Sequence, residues 1–419
     1  ELIDSVPGVT LVNGSTPIGS GINMRGFGAN GTYGSDQKVA IQIDGASVGS
    51  EELYRIGTQL FTDPYLYKSV DVIRGTVGSF EYGSGIIGGV VRMETIDASD
   101  LTGGEPGFKF RQTLGGYTNK KGFSSSSTFA WQPTEDLELL ANYSWREQNE
   151  QKDGANNDIP KSDFKLPSYL LKGRYTFGAN KDHSIYASYS DTQTTERDVS
   201  YDSFNPAGFF RNVDRDTQSS TAAVGYTYSP DNDLIDLDFA FTYANQEIDS
   251  EATEAVTAAT RASVIAGFIA DGASYTDADV DAAVAQSLRL YNADHTYETT
   301  KLTLKNTSIF ETGSIEQEVR YGVEFIKKER ADQYAAPGGD DERFALFVVD
   351  NIDFGNGFSV TPAVRFESSK LNSFEVTHDD LETDAFMGGI SGRYEFDSGF
   401  ALFASFAHTE SLPILDDLD

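Results

Sequence analysis

Apolar and polar residues alternate with a period of two through most of the chain after residue 107. The odd positions of residues 137–145 are Leu, Leu, Ala, Tyr and Trp, and those of residues 235–243 are Ile, Leu, Phe, Phe and Tyr. This period is that of a β-strand with one apolar and one polar face. We predict about 13 such strands. They lie near residues 107–116, 122–132, 136–147, 168–177, 183–192, 217–229, 234–248, 296–311, 315–328, 342–353, 357–370, 384–396 and 399–408.

The connections between these strands alternate in length. Short turns such as 133–136, 178–182 and 396–399 are followed by long polar segments such as 148–167 and 249–295. This asymmetry is typical of a transmembrane β-barrel, with tight periplasmic turns and extended outer loops. A soluble β-sandwich also alternates, but it rarely offers so many strands of this length. Within the long segment, helical spacing of Ala, Val and Leu predicts one or two short helices, in residues 255–269 and 278–290.

Composition supports a barrel. The chain contains 40 Gly, 28 Phe and 21 Tyr but is only 39% hydrophobic, as expected for many two-faced strands. No run approaches about 18 apolar residues, so strands remain the way to cross a bilayer. The formal charge of −33 excludes a nucleic-acid partner, which needs a basic surface. We interpret the acidity as a solvated surface; acidic residues that serve a cationic ligand are the alternative.

The N-terminal part differs from this pattern and carries glycine-rich motifs. Residues 69–74 and 89–95 read as two short strands joined by a compact glycine-rich loop. Alone, this stretch also fits a hairpin of an ordinary β protein. Three earlier signatures lie at residues 3–9 (IDSVPGV), 23–28 (NMRGFG) and 39–45 (VAIQIDG). The motif residues are Arg25, Gly26, Asp44, Gly45, Arg74, Gly75, Tyr82, Gly83, Gly85, Gly88 and Gly89.

In order and spacing, these motifs resemble the plug domain of TonB-dependent outer-membrane receptors. The resemblance implies an all-β fold in which a small α+β plug, residues 1–105, sits inside a transmembrane antiparallel barrel, residues 106–419. Barrels with a plugged lumen have roughly 22 strands, so we expect roughly nine more beyond Asp419 and a missing N-terminal part, which makes the chain a fragment. The resemblance further implies energy-coupled import, with TonB and its inner-membrane complex as partners, in the outer membrane of a Gram-negative bacterium.

The last residues of the chain indicate which class of ligand to expect. Residues 411–418 (SLPILDDL) are similar to a degenerate form of a box found in heme and hemoglobin receptors: Pro413, Leu415 and Leu418 fit, whereas Leu412 or Ser411 replaces its Arg. The resemblance implies import of heme or hemoprotein-derived heme, with a ferric siderophore as the alternative. A passive porin or an adhesin barrel would lack the plug. We expect Tyr33, His378 and His408 to be candidate ligand-binding residues, since Tyr and His can ligate heme iron.

No constellation of catalytic residues stands out. The sequence shows no Ser-His-Asp set, and no pair of carboxylates is distinct from the many other acidic residues. The four histidines show no metal-ligand spacing. We therefore expect no enzyme activity, no metal site and no intrinsic cofactor. We hypothesise instead that Arg25 and Arg74 hold the plug against the barrel wall through ion pairs with lumen-facing acids such as Asp236 and Asp238.

Overall fold

The computed structural model describes residues 3–12, 16, 18–29, 38–49, 60–202, 210–331, 338–374 and 380–418. The described chain forms one antiparallel sheet of 13 strands, which we call the wall, and two small N-terminal sheets, which we call the plug region. The wall strands are β8 (Gly107–Tyr117), β9 (Gly122–Gln132), β10 (Leu137–Gln148), β11 (Phe164–Phe177), β12 (His183–Ser200), β13 (Asn212–Tyr228), β14 (Leu237–Ala252), β15 (Asp294–Thr312), β16 (Ile315–Ala331), β17 (Gly339–Asp353), β18 (Phe358–Ser373), β19 (Leu381–Glu395) and β20 (Ala401–His408).

Each wall strand pairs with its neighbours in sequence, from β8 at one edge to β20 at the other. The predicted number of strands and their antiparallel order are therefore confirmed. The polarity of the two faces of the sheet is the reverse of that in a soluble protein, where the exposed face is polar and the buried face is apolar. Large apolar side chains such as Phe129 and Phe241 lie on the exposed outer face, while polar side chains such as Ser126 and Asn142 are buried on the inner face. This distribution is that of a barrel with lipid outside and a polar lumen.

The long connection between β14 and β15 forms a helical hairpin, which confirms the two predicted helices. Its helices are α2 (Glu254–Ala270) and α3 (Asp277–Leu288). The hairpin packs on extensions of β12 and β13 through a cluster that includes Val199, Val213 and Val284. Among the described residues, no helix has both the length and the apolar character needed to span a bilayer.

The plug region consists of short strands and one turn of helix. A four-stranded sheet has the order β5-β4-β7-β6, in which β4 and β7 are parallel, and a second sheet has the order β1-β2-β3. The strands are β1 (Val9–Val12), β2 (Gly21–Met24), β3 (Phe27–Gly28), β4 (Val39–Ile43), β5 (Ala46–Val48), β6 (Tyr67–Arg74) and β7 (Gly89–Thr95); helix α1 (Ser99–Thr102) then leads to β8.

Two of the predicted motifs are tight hairpin turns. Arg25 and Gly26 join β2 to β3 with φ angles of 53° and 92°, and Asp44 and Gly45 join β4 to β5 with φ angles of 46° and 83°. A two-residue turn with both φ angles positive suits the right-handed twist of a hairpin and favours glycine. Strands β3 and β5 are not predicted from the sequence, because they are only two and three residues long.

The glycine-rich loop lets backbone segments approach closely. A Cβ on Gly89, whose φ is +140°, would lie 2.1 Å from the carbonyl oxygen of Ile73 on β6. One on Gly88 would lie 2.8 Å from a methyl group of Val39 on β4. The loop is closed by a hydrogen bond of 3.1 Å from the Gly75 amide to the Gly88 carbonyl oxygen. These glycines therefore allow β6 and β7 to pack without side chains between them.

Candidate functional site

The interface between the plug region and the inner face of the wall contains three groups of buried charges. In the first, Asp97 follows β7 and Lys172 projects from β11, with 2.9 Å between Lys172 Nζ and Asp97 Oδ1. Lys68 of the plug region reaches Asp97 Oδ2 at 2.7 Å, and Arg174 of the wall lies 3.7 Å from Oδ1. All four side chains are buried or less than one-third exposed, so water screens their attraction only weakly.

Lys172 also ties the β4–β5 turn to the wall. Its Nζ donates to the carbonyl oxygen of Thr95 at 3.2 Å and lies 3.8 Å from Asp44 Oδ2. Asp44 accepts two hydrogen bonds from Thr95, at 2.9 Å from the amide and 2.5 Å from the hydroxyl. Asp44 thus joins the end of β4 to the end of β7, and a single wall lysine contacts both.

The second group surrounds Glu81 in the glycine-rich loop. This carboxylate is nearly buried and lies 3.1 Å from Nζ of Lys305 on β15 and 3.3 Å from Nε of Arg320 on β16. Its neighbour Tyr82 lies under the guanidinium of Arg92, which is 5.7 Å from the ring centroid. The loop predicted to carry the plug motif therefore contacts the wall through an acidic side chain.

The third group is centred on Arg365 of β18, which is completely buried. Its guanidinium contacts Glu367 at 2.7 Å and Glu324 of β16 at 2.8 Å. It also donates to the carbonyl oxygen of Phe80 in the plug region at 3.2 Å, while Glu367 accepts a hydrogen bond of 3.0 Å from Ser84. A network of wall charges therefore holds both sides of the glycine-rich loop.

A cavity of about 300 Å³ separates plug region and wall between the first two groups. Its lining is rich in charge: Asp44, Lys68, Glu81, Arg92, Glu94, Lys172, Arg174, Asp238, Lys301, Lys305 and Glu324. A polar cavity of this size has room for several water molecules. The two parts are therefore joined by ion pairs around a polar space.

The hypothesis that Arg25 and Arg74 pair with Asp236 and Asp238 is wrong. Within the described residues, Arg74 donates a hydrogen bond of 2.9 Å to the carbonyl oxygen of Pro7. Arg25 lies exposed on a turn, and its side chain packs on Gly8. Asp238 lines the cavity near Lys305, and Asp236 lies at the turn before β14. Arg25 lies on the β2–β3 turn and Arg74 ends β6, and both side chains contact other residues of the plug region. The ion pairs have the opposite polarity, with acids on the plug region and cations on the wall.

The histidines lie on different faces of the wall. His408 ends β20 and pairs with Gly388 midway along β19, on the outward face that carries the exposed Phe406 and Ile390. It contacts Glu410 at 3.2 Å and does not face the lumen. His408 is thus level with the middle of β19 and outside the lumen, because β20 is short and its alternation turns this position outward.

A histidine that is not among the predicted ligand-binding residues lies on the inner face of the wall. His295 on β15 is buried on the inner face, two residues from Tyr297, whose ring is nearly parallel to it at 6.2 Å. It shares this face with Lys301. Tyr33 and His378 lie outside the described residues, so they stay predictions. Within the described ranges, no group of three or more His, Asp or Glu side chains has metal-binding geometry.

The Asp97 contacts predict a pH dependence of the seal between plug region and wall. Burial disfavours the charged carboxylate, but Lys172, Lys68 and Arg174 outweigh it and hold the pKa of Asp97 below its ordinary value of 3.8. The resulting stability is complete above the ordinary pKa and is lost as the pH falls through the lower folded value. In Lys172→Met the main opposing charge is absent, so we expect leakage of small solutes to begin at a higher pH than in the wild type.

The measurement is solute efflux from vesicles that contain the receptor, followed as the pH is lowered. Lys181→Met is the matched control, because Lys181 pairs with Glu135 and Asp136 on exposed turns away from the plug region. The same onset of leakage in Lys172→Met and the wild type would contradict a sealing role for this contact.

Comparison with known protein families agrees with this architecture. A family described as "TonB-dependent Receptor Plug Domain" matches residues 1–90, and one described as "TonB dependent receptor-like, beta-barrel" matches residues 161–419. The TonB-dependent heme receptor A of Haemophilus influenzae (strain ATCC 51907 / DSM 11121 / KW20 / Rd) is 24% identical over 481 residues, covering 100% of this chain and 58% of its own length. The hemin receptor of Yersinia pestis is 26% identical over 198 residues, 47% of this chain and 27% of its own length.

Solved structures share the fold at lower identity. The FrpB iron transporter from Neisseria meningitidis (F5-1 variant, apoprotein form) superposes with a TM-score of 0.74 at 17% identity, covering 100% of this chain and 62% of its own. The unliganded ferric citrate transporter FecA superposes with a TM-score of 0.68 at 16% identity, covering 96% of this chain and 59% of its own. The chain thus spans about three-fifths of the length of these transporters. From the barrel family match, which covers more than half of its residues, the chain belongs to the TonB-dependent receptor family.

Proposed function

We propose that this protein imports heme across the outer membrane by TonB-driven displacement of its plug region. The observation that carries the proposal is the charge-paired, cavity-containing interface between plug region and wall. An apolar interface of similar extent would resemble a domain core and resist separation. Ion pairs beside a polar cavity exchange their partners for water as the plug region moves, so pulling by TonB can open the lumen.

Heme is the proposed ligand on two grounds. The relatives that align with the whole chain are named as heme receptors. The inner face of the wall also carries cations, among them the buried Lys301 and Arg365 and the partly buried Lys305, although the chain as a whole is strongly acidic. Positive side chains that line a lumen favour entry of an anionic ligand such as a porphyrin with its propionates. His295 is the described histidine that faces this lumen, and we propose it as a contact for the iron or the propionates.

The test is a hemin titration of the purified full-length receptor, followed in the Soret band. We expect saturable one-to-one binding, and a shifted band or about tenfold weaker binding in His295→Ala. His408→Ala is the matched control, since His408 faces outward and should leave the titration unchanged. Tyr33→Phe and His378→Ala test the two remaining candidates in the same way.

Each result of the titration has a distinct meaning. Binding that only His408→Ala alters would contradict the assignment of His295. An absence of specific hemin binding would reject heme as the ligand. A ferric siderophore, the class imported by some solved members of the fold, would then be titrated against the same variants.

A further inference from the structure

The chain leaves the wall immediately after β20 and crosses toward the plug region. Where β20 ends, the Glu410 carboxylate accepts a hydrogen bond of 3.0 Å from the backbone amide of Phe386 on β19. Glu410 also contacts His408 at 3.2 Å. These two contacts satisfy the β19 edge that β20 no longer covers and fix the point at which the chain turns inward.

The next residues lie against the glycine-rich loop of the plug region. Nζ of Lys38 donates to Oγ of Ser411 at 2.6 Å. A Cβ placed on Gly85 would lie 3.1 Å from Ser411 Oγ and 3.6 Å from its Cβ, so no side chain fits between the two backbones. Leu412 is 6% exposed and belongs to a cluster with Val77 and Phe80 of the plug region.

The segment then continues along the wall to the start of β17 and the end of β18. Ile414 and Leu415 are each 8% exposed. They line a small space with Leu371 of β18, Tyr297 of β15 and Gly49 of the plug region. A Cβ on Gly339, the first residue of β17, would lie 2.6 Å from a methyl group of Leu415. Residues 409–415 therefore run between the glycine-rich loop and the inner face of β17, β18 and β19.

We propose that residues 409–415 form a strap that holds the glycine-rich loop in the lumen and must release before the plug region can move. The strap contacts the same loop that Arg365 and Lys305 hold from the wall, so it adds a third restraint. Its polar contact is the Lys38–Ser411 hydrogen bond and its apolar contact is Leu412. The strap deepens the proposed import function, which it presupposes, because a ligand that moves the strap would unlock the plug region.

A disulfide across the contact tests the strap directly. The chain contains no cysteine, so Gly85→Cys combined with Ser411→Cys introduces one possible pair. The separation of 3.6 Å between the two Cβ positions lies within the range of disulfides. Each single Cys variant is the control for strain, because Gly85 has a φ of +67°. Leu412→Asp provides the opposite perturbation, since it places a charge in the apolar contact.

The readouts are thiol labelling and urea-induced ion conductance of the full-length receptor in planar bilayers. We expect the double variant to lose both free thiols on oxidation and to conduct about tenfold less at a urea concentration that opens the reduced form, with recovery in dithiothreitol. We expect Leu412→Asp to open at lower urea than the wild type.

Thiols that stay reactive after oxidation, or equal conductance of the oxidised and reduced forms, would overturn the strap. Opening of Leu412→Asp at the same urea concentration as the wild type would also overturn it. These readouts use no hemin, so a failure of hemin binding would reject the proposed ligand and leave the result for the strap unaffected.

Discussion

Replacing Arg365 by Ala is expected to lower the free energy of unfolding by about 3 kcal/mol and to open the lumen to small solutes. The guanidinium lies between Glu324 and Glu367, all three fully buried, and it also holds the Phe80 carbonyl oxygen of the plug region. Removing it leaves two carboxylates in a low-dielectric site without their common cation. Removal of one partner of a buried ion pair costs about 3–5 kcal/mol, and more than one contact is lost here.

Two neighbouring cations limit this loss. Lys301 remains 3.6 Å from Glu324, and Arg343 remains 3.4 Å from Glu367, so neither carboxylate becomes isolated. We therefore expect the lower end of the range. Arg365→Lys should fall between the wild type and Arg365→Ala, because an ammonium keeps the charge but cannot bond to both carboxylates and the carbonyl oxygen in one plane.

Urea unfolding in detergent and solute efflux from vesicles measure the two effects. Arg393→Ala is the matched control: Arg393 pairs with Glu395 on the exposed end of β19, and such exposed pairs contribute about 0–1 kcal/mol. Equal losses of stability in the two variants, or an unchanged efflux in Arg365→Ala, would show that the buried network does not hold the plug region.

The wall could be predicted because its signal is repeated along the chain. Period-two alternation fixes both the strands and the face of each residue, and the Leu139 and Tyr143 side chains lie outward as the pattern requires. Helices α2 and α3 were likewise predicted, since their apolar spacing differs from that of strands. Strands β3 and β5 were missed, because two or three residues are too few to show a period.

The candidate site was predicted less completely, for a physical reason. Motifs point to backbone geometry: Arg25 and Asp44, which belong to the plug motifs, occupy turn positions with positive φ angles. Lys172 and Arg365 belong to no motif. Their signal is a charged residue at an inward position of an alternating strand, which marks a lumen-facing cation. Which plug residue each one contacts depends on how the plug region sits in the lumen, and local sequence does not contain that information.

The polarity of the interface follows from the same reasoning. The acids Asp97 and Glu81 lie on the plug region, and their partners Lys172, Lys305 and Arg320 lie on the wall. A net charge of −33 on the chain does not predict this division between plug acids and wall cations. We expect the acidic plug region to neutralise wall cations while the lumen is closed, and its movement to expose them to an anionic ligand.

Uptake of hemin by cells that carry the full-length receptor as their only hemin transporter, with and without TonB, tests the proposed function most directly. Because buried ion pairs hold the plug region against the inner face of the wall, we predict uptake in the presence of TonB and a loss of at least about tenfold in its absence. Binding of hemin to the cells should be the same in both strains. Equal uptake with and without TonB would contradict an energy-coupled plug and would favour a passive channel.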